Sequence, residues 1–171
     1  MNTEKENQGS SNEINISKII DESPVSKYQY RVIIICFIVA MIDGFDTQAV
    51  AFVAPILSEE MDFGSQSIGN LYSAGLFGLM IGAITFGNLA DKIGRRPVTA
   101  ISCLLMGIFS LLAATSSSLN ELLIYRFFTG LGIGAAMPNI NSLTAEYSPK
   151  TKQAFLMTLM FAGFPFGAVL G

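Results

Sequence analysis

The chain contains no histidine. That removes both the commonest metal ligand and the commonest general base at neutral pH. Neither a histidine-based metal site nor a catalytic triad can be built. Cysteine is scarce as well. Cys36 and Cys103 each sit inside an apolar run, and two such residues make neither a disulfide framework nor a cysteine-rich metal centre. With no nucleophile–base or metal-ligand cluster, an enzyme is not expected, and neither is a metal or an organic cofactor. Charge is also low, at 13% of the 171 residues, against about 25% in an ordinary soluble domain. A net charge of −3 is too small to suggest a nucleic-acid partner. What the chain has in quantity is apolar side chains, 51% of the total. This is the composition of a polytopic membrane protein whose first partner is the lipid bilayer.

Five apolar runs stand out, at about 32–57, 68–90, 98–115, 119–143 and 154–171. A helix needs about 20 apolar residues to cross a hydrocarbon core of about 30 Å, and each run is close to that length. Backbone groups in lipid must be satisfied within the segment, so the expected fold is all-α. The short alternating segments of a β-barrel are not visible. The division is therefore a polar tail over 1–27 and a transmembrane domain over 28–171.

The basic residues set the topology. Lys5, Lys18, Lys27 and Arg31 precede the first run, Lys92, Arg95 and Arg96 lie between the second and third, and Lys150 and Lys152 lie between the fourth and fifth. The loops at 58–67 and 116–118 carry none. By the positive-inside rule the N-terminus is cytoplasmic and the acidic loop Ser58-Glu59-Glu60-Met61-Asp62 faces out. The tail lacks the organisation of a cleaved signal peptide. Residues 1–13 read as disordered by composition, and Ile14, Ile16, Ile19 and Ile20 form either a short amphipathic turn or a plain linker. The chain ends at Gly171 in an apolar run with no polar tail, which suggests a partial protein.

Four ionisable residues fall inside the runs or at their edges: Asp43, Asp46, Arg126 and Glu146. A central Asp or Arg costs about 2.5–3.5 kcal/mol on insertion scales, so such residues face a cavity and pair. Asp43 and Asp46, three apart, share a helix face. Asp43 lies about 18 Å of helix rise beyond Arg31, and Arg126 about 10 Å beyond Leu119 on a helix of opposite direction. The two heights coincide, so Arg126 can meet Asp43 or Asp46 in one layer. Two carboxylates close together in low dielectric cannot both carry charge cheaply, which suits one of them to load and release a proton. An Arg fork matches a carboxylate bidentately. With its proton absent an Asp occupies the Arg; protonated, it frees the Arg for an anion. The trio suits proton-coupled uptake of an organic acid. A structural ion pair that only locks two helices is the competing reading.

Glycines punctuate the runs: Gly75, Gly78, Gly82 and Gly87 in the second, Gly130, Gly132 and Gly134 in the fourth, Gly163, Gly167 and Gly171 in the fifth. Such spacing lets membrane helices approach closely. Pro138 and Pro165 are candidate kinks. The short loop ending Asp91-Lys92-Ile93-Gly94-Arg95-Arg96-Pro97 is dense in charge. Gly94 permits positive φ at the turn, Pro97 suits the first turn of the next helix, and Asp91 at a helix C-terminus calls for a partner such as Arg95.

That loop, Gly87-Asn88-Leu89-Ala90-Asp91-Lys92-Ile93-Gly94-Arg95-Arg96, resembles the G-x-L-a-D-x-x-G-R-[KR] signature of the major facilitator superfamily, and Arg126-Phe127-Phe128-Thr129-Gly130-Leu131-Gly132-Ile133-Gly134 resembles its Arg-containing helix-four motif. Within the superfamily, Asp43-Gly44-Phe45-Asp46-Thr47 resembles the D-G-[FY]-D signature of the aromatic acid:proton symporters. Ile20-Asp21-Glu22-Ser23-Pro24, Met137-Pro138-Asn139, Thr144-Ala145-Glu146-Tyr147 and Phe161-Ala162-Gly163-Phe164-Pro165-Phe166-Gly167 are similar to the same family.

The resemblance implies five helices of the first six-helix half of a twelve-helix transporter, with the substrate bound between the two halves. It implies import of aromatic carboxylates such as 4-hydroxybenzoate, protocatechuate or benzoate, with protons as the coupling ion, across a bacterial inner membrane. Asp43, Asp46, Arg126 and Glu146 would serve proton and substrate. Gly87, Asp91, Gly94, Arg95 and Arg96 would form a cytoplasmic gate, and Gly130, Gly134, Pro138, Gly163, Pro165 and Gly167 would set packing and kinks. The missing C-terminal half would be an obligatory partner, so the chain alone is expected to be inactive. The helix-five glycines and proline also resemble drug–proton antiporters, which leaves export open. A third reading is a membrane protein that assembles with a partner and does not transport.

Overall fold

The computed structural model describes residues 26–60 and 65–171. The tail over 1–25, including the isoleucine turn and the Ile20–Pro24 leader, and most of the acidic loop after Glu60 lie outside the described residues. Every regular element among the described residues is a helix: α1 (Lys27–Glu60), α2 (Ser65–Ile93), α3 (Arg95–Ala114), α4 (Leu119–Tyr147), α5 (Gln153–Phe161) and α6 (Gly163–Leu170).

Local chemistry sets several of the ends. Ser26 and Gln29 form a reciprocal cap at the start of α1, with the Ser26 N–H donating to Gln29 Oε1 at 2.7 Å and the Tyr28 N–H donating to Ser26 Oγ at 3.4 Å. Ser118 and Glu121 repeat the device at α4, with the Glu121 N–H donating to Ser118 Oγ and the Ser117 N–H to Glu121 Oε2. Both use the S-x-x-E/Q pattern that satisfies orphan N–H groups at a helix start. Between α2 and α3 a single residue, Gly94, turns the chain at φ 94°. A side chain there would be strained, and the tight junction keeps Asp91, Arg95 and Arg96 together. Pro97 lies in the first turn of α3, as expected.

The last apolar run is not one continuous helix. It divides at Ala162 into α5 and α6. Pro165 has no N–H, so the carbonyl of Phe161 loses its partner four residues on, and the helix loosens there. Pro138 has no such effect: α4 runs through it unbroken. The helices also extend beyond the apolar runs. The first begins at Lys27, and α4 continues to Tyr147, which puts Glu146 on the helix.

Contacts fix the directions. Gly130 and Gly134 of α4 meet the backbones of Gly75 and Leu79 of α2 in the same order, so these two helices run parallel. Gly163 and Gly167 meet Phe37 and Met41 of α1 in the same order, so the α5–α6 span runs parallel to α1. Tyr28 of α1 touches Tyr147 of α4, and Asp46 touches Arg126, so α1 and α4 are antiparallel. Alternate crossing of a bilayer gives this arrangement.

Four segments are long and apolar enough to cross a membrane: Lys27–Val53, Gln66–Ile93, Arg95–Ala114 and Gln153–Leu170. The run at 119–143 falls short of that measure, and its position explains why. α4 is wrapped by α1, α2, α3 and α5. It buries Thr129, Asn139, Thr144 and five glycines and alanines among its contacts. A helix shielded by its neighbours has little need of a lipid-compatible surface. The lipid-facing side is supplied by residues such as Phe77, Ile84, Leu104, Leu111 and Val169, all well exposed.

The interior has three levels. At one end Cys36, Val39, Ala40, Ala136, Ile140, Leu143 and Met160 form an apolar cluster between α1, α4 and α5. At the other, Val50, Leu71, Ala113 and Leu122 form a second. Asp43 and Asp46 lie between these clusters along α1, and Arg126 and Thr129 lie between them along α4. The fold thus sets a polar layer between two dry ones.

Candidate functional site: a charged layer facing a cavity

The centre of the polar layer is the pair Asp46–Arg126, with Nη1 and Oδ2 2.9 Å apart. Both side chains are largely buried, at 11% and 16% exposed. Asp46 is held from its other oxygen by Ser110 of α3, whose Oγ donates to Oδ1 at 2.7 Å. One carboxylate therefore ties α1 to both α3 and α4. Arg126 has five N–H donors in a fixed fork, and among the described residues it uses Nη1 on Asp46. Asp43 is more deeply buried still, at 4% exposed, and no cation pairs with it among the described residues. A charge in that position lacks compensation, which favours a proton or a ligand group nearby.

The layer opens into a cavity of about 630 Å³, within the range of small-molecule sites. Asp43, Asp46 and Arg126 all line it, with Tyr72 and Thr129 as further polar groups at this level and Asn141 farther along α4. The rest of the wall is mainly apolar, including Leu76, Leu79, Ile133, Met137 and Phe164. A cation fork and acidic groups beside an apolar wall can accept a flat anion with a hydrophobic body.

Of the four charges expected to act together, Asp43, Asp46 and Arg126 do meet in this layer. Glu146 does not. Twenty residues separate it from Arg126 on α4, about 30 Å of helix rise. It is exposed at the end of the bundle that carries the basic loops, where it pairs with Arg95 at 2.8 Å. Asp91 pairs with the same guanidinium at 3.8 Å. The grouping by intramembrane charge failed for Glu146 because α4 runs past its apolar stretch. Arg96 turns the other way, donating to the Tyr147 hydroxyl and stacking over the rings of Tyr28 and Tyr147, 5.4 and 4.9 Å from their centroids. The gate-motif residues Asp91, Arg95 and Arg96 thus tie together the ends of α1, α2, α3 and α4. Gly87 faces open space.

The packing glycines lie where the helices touch. A Cβ on Gly78, Gly82, Gly130 or Gly134 would run into the backbone across the α2–α4 seam, and one on Gly44, Gly163 or Gly167 would do so across the α1–α6 seam. Ser110, Tyr72, Thr129, Asn141 and Phe164 were not legible as site residues. Each is an ordinary residue in an apolar run, and only interhelical packing brings Ser110 to Asp46 and the other four to the cavity.

Comparison with known proteins agrees with this architecture. Residues 36–171 match the Major Facilitator Superfamily. Over 158 residues the chain is 42% identical to the 4-hydroxybenzoate transporter of Pseudomonas putida, covering 92% of this chain and 35% of that protein. The gallate transporter of Pseudomonas putida is 38% identical with the same coverage. The benzoate transport protein of Acinetobacter baylyi is 35% identical, covering 93% of this chain and 35% of its own length. The chain therefore spans about a third of the length of these curated relatives. The charged layer, the basic helix-two to helix-three junction and the sequence match agree: the chain belongs to the Major Facilitator Superfamily.

Proposed function

We propose that this chain is part of a proton-coupled importer of aromatic carboxylates. The observation that carries the reading is the Asp46–Arg126 pair at the wall of a mainly apolar cavity, with Asp43 unpaired beside it. The named relatives, transporters of 4-hydroxybenzoate, gallate and benzoate, support it. In this reading the substrate carboxylate competes with Asp46 for the Arg126 fork. Protonation of the acidic pair releases the guanidinium, the anion takes it, and the apolar wall holds the ring. Proton and anion then move together, and loss of the proton lets Asp46 reclaim Arg126 and expel the substrate.

The end bearing Arg95, Arg96 and the other basic loop residues is cytoplasmic in this account, in a bacterial inner membrane. There Asp91, Arg95 and Glu146 act as a gate latch. Glu146 belongs to this latch and not to the substrate layer. The rest of the transport path comes from sequence that the relatives have and this chain does not cover, so the chain alone is expected to accumulate no substrate.

The test is a chimaera in which this chain replaces the matching part of the Pseudomonas putida 4-hydroxybenzoate transporter. Vesicles carrying it should accumulate labelled 4-hydroxybenzoate when an inward proton gradient is imposed. Asp43→Asn should abolish the response to the gradient. Unchanged gradient-driven uptake in that variant would remove Asp43 from the coupling.

A further inference from the structure

We propose that Thr129 recognises a ring hydroxyl of the bound aromatic acid, and so sets a preference for hydroxylated over unsubstituted benzoates. This inference rests on the transport reading above and names a residue within that site.

Thr129 is 1% exposed, and among the described residues its hydroxyl has no hydrogen-bond partner. Among the described residues the buried hydroxyl of Thr144 is left in the same way, but Thr144 does not line the cavity. Thr47, Ser73, Thr85, Thr99, Ser102 and Thr158 each donate their hydroxyl to the carbonyl four residues back. A threonine inside a helix normally satisfies itself in this way. Thr129 does not, although it lines the cavity. A buried hydroxyl left unmade is costly, so its retention at a cavity wall points to a partner that arrives with the ligand.

Its height selects the ligand group. Thr129 lies one turn beyond Arg126 on α4, about 4.5 Å along the axis. Because α1 and α4 are antiparallel and joined at Asp46–Arg126, Asp43 lies one turn from the pair in the same direction. Thr129 and Asp43 are thus at one level, and both line the cavity. An aromatic acid with its carboxylate on Arg126 directs its ring along α4 towards this level. A meta or para hydroxyl then donates to Thr129 Oγ1. An ortho hydroxyl is already occupied by the substrate's own carboxylate. Asn141 also has an unpartnered Oδ1 on the cavity wall. It is fifteen residues beyond Arg126, about 22 Å of rise, and out of reach of one ring held there.

The test uses the same chimaera with labelled benzoate and labelled 3- and 4-hydroxybenzoate, each variant's amount in the membrane being measured by immunoblot. Thr129→Val keeps shape and removes the hydroxyl. It should lower the ratio of hydroxybenzoate to benzoate uptake about threefold to tenfold, the loss of one neutral hydrogen bond. Thr129→Ala should lower the ratio likewise, and Thr129→Ser should keep it. An unchanged ratio in Thr129→Val and Thr129→Ala, or equal loss of the ratio in Thr129→Ser, overturns the inference. If the unmodified chimaera reaches the membrane and takes up none of these acids, the transport reading itself fails.

Discussion

At the scale of single residues, the polar layer is held by an imbalance. Asp46 is satisfied twice, by Arg126 and by Ser110, while Asp43 is buried without a counter-charge among the described residues. Breaking a buried pair by removing one partner costs more than removing both, because the survivor is left uncompensated. Arg126→Ala and Asp46→Ala should each destabilise the bundle by about 3 kcal/mol. The double replacement should cost clearly less than the sum, as read from denaturant unfolding in detergent. Strictly additive losses would mean that the pair is not coupled. Asp43, Asp46 and Arg126 were legible because charge in an apolar run is conspicuous and helix rise places it. Ser110 and Thr129 were not, since small hydroxyl residues are common in apolar helices and mostly bond their own backbone. Glu146 was misplaced because sequence hydropathy ends the fourth run at 143, whereas the helix continues to Tyr147.

At the scale of the elements, α4 is the axis on which the others pack, and its glycines let α2 come close. Gly130 and Gly134 have the α2 backbone against them, whereas Gly107 of α3 has nothing within 4 Å. Gly134→Ala should therefore lower stability by about 1–3 kcal/mol through overpacking. Gly107→Ala should be neutral or stabilising, by up to about 1 kcal/mol, from helix propensity alone. Thermal unfolding of the two variants in detergent tests the contrast; similar shifts in both would argue against a close α2–α4 seam. The break at Ala162 gives a second prediction. Pro165→Ala restores the missing amide, which should bond the Phe161 carbonyl and exchange slowly with deuterium. A rapidly exchanging amide at 165 would show that the break has another cause. Helix existence, order and direction were readable from run length and basic loops. The division of the fifth run was readable only as a candidate kink, because a proline in a helix can bend it or, as at Pro138, leave it continuous.

At the scale of the whole molecule, the proposed function makes the described helices one wall of a transport path. Exposed aliphatic and aromatic side chains cover the lipid side, and the charged layer with its cavity lies inside. At one end Arg95, Arg96, Asp91, Glu146, Tyr28 and Tyr147 bind four helix ends together. The geometry suits movement of this wall as one body, with the charged layer and the Arg95–Glu146 pair at different heights along α4. In the proposed function Arg126 is the receptor for the substrate's carboxylate. A transporter of cationic drugs would rely on Asp43 and Asp46 and have no use for this cation. The most direct measurement is uptake of labelled 4-hydroxybenzoate by vesicles carrying the chimaera with Arg126→Gln, at matched protein amounts. Loss of a charge-assisted hydrogen-bond pair predicts a fall of about tenfold to a hundredfold. Uptake at the level of the unmodified chimaera would contradict the account.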